Sequence, residues 1–108
     1  MRNPKAFIVF TTTLYMTHSE LFDLDVFYSY KMAEKSFQKH REDVKTKHYP
    51  TSVSTSIFRV YWLSVPLDRL DEFERDTEGV TDAHELFRIF TGYFEGKKDT
   101  VDYCDVRV

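Results

Sequence analysis

At 108 residues the chain has the length of one ordinary domain, long enough to bury a core without staples. Its 42% apolar and 31% charged residues exclude a disordered tail, and no apolar run approaches the ~20 residues of a membrane-spanning helix. A net charge of −3 is too small to argue for nucleic-acid binding or DNA mimicry, and a single cysteine, Cys104, excludes an internal disulfide and points to a reducing cytoplasm.

Residues 5–16 predict a first strand. Ile8, Phe10, Leu14 and Met16 share one parity, while Phe7, Val9 and Tyr15 share the other, with Thr11, Thr12 and Thr13 interleaved. Apolar residues on both faces place this strand centrally in a sheet. The threonines also interrupt the apolar stretch that a cleaved signal peptide needs. His18 to Asp25 is polar and reads as a turn, and Asp25 to Tyr30 then reads as a short second strand in a hairpin with the first.

Ser29 is a candidate N-cap. From Tyr30 the inward stripe runs through 30, 33, 37, 40 and 44, in alternating steps of three and four, and predicts an amphipathic helix over about 30–46. His48-Tyr49-Pro50 ends it, because the residue before proline is pushed out of the α region. After a Ser/Thr linker, Ile57 to Val65 is the strongest strand in the chain. It carries Phe58, Val60 and Trp62 on one side and Ile57, Tyr61, Leu63 and Val65 on the other, so it too belongs in the centre.

Pro66 opens a short helix with a Leu67, Leu70, Phe73 stripe, which Gly79 stops. Asp82 and Glu85 form a capping-box-like start for a third helix lined by Ala83, Leu86, Phe87, Phe90, Tyr93 and Phe94, with Ile89 widening the face and Gly96 as the C-cap. Thr100 to Val108 alternates again as a last strand. The order β-β-α-β-α-α-β implies a single α+β domain over 1–108. We expect a four-stranded, largely antiparallel sheet with helices mainly on one face.

Charge is segregated along the chain. Residues 31–47 carry a net +3 and residues 68–78 a net −4. The acidic run Asp68, Asp71, Glu72, Glu74, Asp76 and Glu78 suits electrostatic steering of a basic partner. The third helix is wider in its apolar face than one sheet surface needs, so Phe90, Tyr93 and Phe94 are candidate anchors for a partner or a second copy. The basic stripe Lys31, Lys35, Lys39, Arg41 and Lys45, with Tyr28, Tyr30 and Tyr49 nearby, would suit a phosphate backbone and stacked bases.

Other constellations read better as structure. His18, Glu20, Asp23 and Asp25 lack the glycine and spacing of a calcium loop. If the helix continued to His48, His40 and His48 would stand two turns apart, too far to share an ion. Cys104 alternates with Val106 and Val108, the position of a small buried side chain, rather than of a nucleophile served by His84 or His18. No metal and no cofactor is expected. The short, aromatic-rich composition is in the style of phage- or virus-encoded accessory proteins, and no motif points to a known family.

The expectation is therefore a non-enzymatic protein-binding protein of inhibitor or adaptor type. It would block a host defence or nucleic-acid-processing complex in the host cytoplasm, and homodimerisation is a further expectation. A nucleic-acid-binding module stands second, and a small metal- or cysteine-dependent enzyme third.

Overall fold

A computed structural model describes residues 4–13, 20–46, 57–93 and 102–107. Four strands, β1 (Lys5–Thr13), β2 (Leu21–Phe27), β3 (Ile57–Pro66) and β4 (Asp102–Arg107), form one antiparallel sheet in the order β2-β1-β3-β4. The two strands with apolar residues on both faces, β1 and β3, are the central pair. Three helices complete the expected order: α1 (Tyr30–Thr46), α2 (Leu70–Asp76) and α3 (Ala83–Phe90). Single 3₁₀ turns, Leu67–Arg69 and Thr91–Tyr93, precede α2 and follow α3.

Strand parity divides the core in two. Ala6, Ile8 and Phe10 of β1 and Leu63 and Val65 of β3 meet Leu70 and Phe73 of α2, Leu86 and Phe90 of α3, and Tyr93. On the other face Val9, Phe58, Val60 and Val106 meet Ala33 and Val44 of α1, with Phe7, Phe37 and Trp62 partly buried beside them. Two helices thus share one face and α1 covers the other. Phe10, Phe73 and Phe90 are among the largest side chains withdrawn completely from water, each contributing about 1.5–3 kcal/mol of burial.

β2 differs from expectation. It begins at Leu21, inside the segment read as a turn, and stops at Phe27. Its register against β1 shifts between Val9 and Thr11, and Asp23 takes a left-handed φ of 53° there. An edge strand exposes one flank and often carries a bulge, so its polar residues mimic a loop in the sequence. The outer flank is engaged at one end: the Leu21 N–H donates to the Thr81 carbonyl at 3.1 Å, and Glu20 bridges Asp82.

The helix ends follow local chemistry. Ser29 caps α1, its Oγ accepting from the Met32 N–H at 3.4 Å. Asp82 caps α3 by accepting from the His84 N–H at 3.2 Å. Glu85, the other half of the expected capping box, turns instead to Arg88. The α-helix stops at Phe90, earlier than expected, as Thr91 bonds back to the Arg88 carbonyl at 2.7 Å and the chain tightens to 3₁₀. Gly79 supplies the positive φ, 77°, that turns the chain out of α2. Among the described residues, no helix is long and apolar enough to cross a membrane.

Candidate functional site

α2 is seven residues long, and its sequence leaves it one inward edge. Leu70 and Phe73, at i and i+3, enter the core, and the charged residues between them face water. Asp68, Asp71, Glu72, Glu74, Asp76 and Glu78 are all exposed. Two of the six hold the structure together. Glu72 pairs with Arg69 (Nε to Oε2, 2.9 Å), and Asp76 accepts the Tyr93 hydroxyl at 2.6 Å. The Arg69 guanidinium lies 4.3 Å from the Tyr93 ring centre, so arginine, tyrosine and the two acids clamp α2 to the turn after α3. Burial first, and then the Asp76 carboxylate, push the Tyr93 hydroxyl up to about 12. Among the described residues, Asp68, Asp71, Glu74 and Glu78 make no side-chain ion pair, and they form an exposed acidic surface.

The anchors expected beside these acids are not at the surface. Phe90 is 0% and Tyr93 3% exposed. Phe73 meets both rings edge-on, at 6.3 and 5.3 Å. The extra width of α3 is taken up by Phe87, which packs 4.5 Å from Tyr61 and 6.2 Å from Phe10. The aromatic face of β1 and β3 therefore consumes the surface that the sequence left over for a partner. Phe94, His18, His48 and Tyr49 lie outside the described residues.

On the opposite face of the sheet, Lys31, Lys35 and Lys39 follow one another at i+4 spacing along α1, all exposed. Arg41 is half-buried and bonded to Gln38 at 3.0 Å, while Lys45 is exposed on the neighbouring row. Tyr28, Tyr30 and Met32 stand out at the start of the helix, more than half exposed. Tyr30 still packs 4.9 Å from Trp62 and 5.8 Å from Phe7. Basic and acidic helices therefore sit on opposite faces.

Beneath α1 lies a polar chain that the sequence did not announce. His40 is 4% exposed. Its Nδ1 is 2.8 Å from the Thr11 hydroxyl on β1, and its Nε2 is 3.3 Å from Asp25 Oδ2 on β2. A histidine at an inward helical position must find polar partners. That requirement was legible; their identity, 29 and 15 residues away, was not. Hydroxyl, imidazole and carboxylate stand in a row as in an acyl-transfer triad. Thr11 is wholly buried, however, so no substrate carbon reaches its oxygen. The chain instead orients Asp25, whose side chain remains 55% exposed.

Asp25 opens into a groove of about 500 Å³ between β2 and α1. Asp23, Asp25 and Phe27 line it from the strand, and Met32, Lys35, Ser36, Lys39, His40 and Asp43 from the helix. At the far edge of the sheet, Arg59 binds Asp105 with two hydrogen bonds, at 2.5 and 3.0 Å, and lies 4.2 Å from the Tyr103 ring centre. The arginine holds the Asp105 carboxyl below its usual range.

The described candidates for thiol chemistry stand apart. The half-buried Cys104 packs on the α1 side of the sheet, while His84 is exposed on α3, across the sheet. Among the described residues no three metal-ligating side chains are grouped to hold an ion. No family model, curated protein or solved structure matches the chain.

Proposed function

We propose that the protein is a non-enzymatic binding protein, of inhibitor or adaptor type, that docks a basic protein surface against its α2 flank. The observation that carries this reading is the group Asp68, Asp71, Glu74 and Glu78, exposed and without an ion pair among the described residues, on and beside a helix anchored by Leu70, Phe73 and the Arg69–Tyr93 clamp. A fixed field of one sign speeds encounter with an oppositely charged partner and rejects like-charged ones. Surfaces that handle nucleic acid are basic, so a host nucleic-acid-processing complex has the required chemistry.

The test is capture of a stoichiometric partner by the full chain, followed by association rates at rising salt. Replacing Asp71, Glu74 and Glu78 with lysine spares both structural acids. It is expected to slow association at low salt by about tenfold or more and to flatten the salt dependence. An unchanged rate at low salt refutes the docking surface. The exposed row Lys31, Lys35 and Lys39 beside Tyr28 and Tyr30 supports a second reading, a nucleic-acid-binding module. A gel-shift series without a shifted band at low salt removes it.

A further inference from the structure

We propose that the groove between β2 and α1 binds a nucleotide-sized phosphorylated small molecule, with the phosphate on Lys35 and Lys39 and the hydroxyl or amino donors of the ligand on Asp25. This site lies across the sheet from the acidic flank and does not depend on it.

Size sets the first limit. A volume of about 500 Å³ suits a whole organic molecule rather than a bare ion. The α1 wall then carries two ammonium groups one helical turn apart, with Ser36 next to Lys35. Like charges at i and i+4 repel, and neither lysine has a carboxylate partner within ion-pair distance among the described residues. An anion shared by both removes that repulsion. Asp43 stands one turn beyond Lys39, at the end away from Lys35, so the phosphate belongs on the Lys35 side.

The strand wall has the opposite sign and is fixed. Thr11 holds His40, and His40 holds Asp25 through Oδ2. A half-exposed carboxylate oriented from below by a buried hydrogen-bonded chain is a preorganised acceptor, which loses little freedom when a ligand donates to it. Phe27 on the strand wall and the 57%-exposed Met32 on the helix wall give the groove apolar surface as well. A small molecule that carries an anionic group, an apolar ring and hydrogen-bond donors matches these three surfaces, and a nucleoside phosphate carries all three.

The experiment titrates the full chain with each of the four ribonucleoside monophosphates, with adenosine, with inorganic phosphate and with a 5′-phosphorylated hexaadenylate RNA, followed by amide NMR shifts and calorimetry. At least one monophosphate is expected to bind saturably at one per chain, with shifts centred on residues 23–27 and 32–43, and about tenfold more tightly than adenosine or phosphate. Lys35→Gln with Lys39→Gln should weaken monophosphate binding about tenfold and leave adenosine unaffected. Asp25→Asn, which still accepts from His40, should weaken both nucleotide and adenosine but not phosphate. Absence of saturable binding by all four monophosphates overturns the proposal, as does binding indifferent to the lysine pair. RNA binding without monophosphate binding assigns the lysines to a strand-tracking surface and likewise overturns it.

Discussion

Replacing Tyr93 with phenylalanine tests the clamp that positions α2. The change removes one oxygen and keeps the ring, with its edge-on contact to Phe73 at 5.3 Å and the Arg69 guanidinium at 4.3 Å. What is lost is the 2.6 Å bond to Asp76, a neutral donor on a charged acceptor. Because Asp76 is exposed and regains water, the expected loss is about 1–2 kcal/mol near pH 8. The hydroxyl titrates near 10 in the unfolded chain and at about 12 in the fold. Its contribution is therefore complete below pH 10 and is lost as pH rises through 12. The stability gap between wild type and Tyr93→Phe should close above pH 10, by up to ~1.4 kcal/mol per pH unit. Every other titrating group is common to both proteins and cancels in the difference. Urea unfolding followed by far-UV circular dichroism at pH 8, 10 and 11 measures that difference. A gap that stays constant to pH 11, or no gap at pH 8, refutes the clamp.

Thr11→Val keeps the shape of the buried side chain and strands His40 Nδ1, so urea unfolding should show a loss of about 1–3 kcal/mol; a variant as stable as wild type denies the buried chain. Gly79→Ala places a Cβ in open space but at φ 77°, and Gly92→Ala places one in open space with no such conformation. Thermal unfolding should show the first destabilised by about 1 kcal/mol and the second not; equal effects would contradict the backbone argument.

What the sequence disclosed and what it concealed divide along a physical line. β1, β3 and α1 were legible because their side chains repeat at the period of the element that they form, and burial on both faces placed the strands at the centre. The second strand and its pairing with the first were legible too, but its bounds were displaced, because an edge strand has only one neighbour to satisfy, and Asp23 and Asp25 meet solvent and the groove rather than a core. The Thr11–His40–Asp25 chain was hidden for another reason. Each residue is unremarkable in its own segment, and only the pairing of β1 with β2 under α1 brings them together. The third helix erred in the opposite direction. Its apolar width is real, but periodicity cannot count the aromatics that face it: Tyr61 and Phe10 of the sheet pack against Phe87, and Phe73 of α2 packs against Phe90 and Tyr93.

The small bridge at the rim, Glu20 to Asp82 with the Leu21 amide on Thr81, has a kinetic consequence. It joins the outermost strand to the residue that caps α3, so the rim cannot fray without also loosening the start of that helix. Hydrogen exchange at Leu21 and at the capped amide of His84 should then proceed through one shared opening, with matched protection, and the strand end that looks least secure becomes part of a larger cooperative unit.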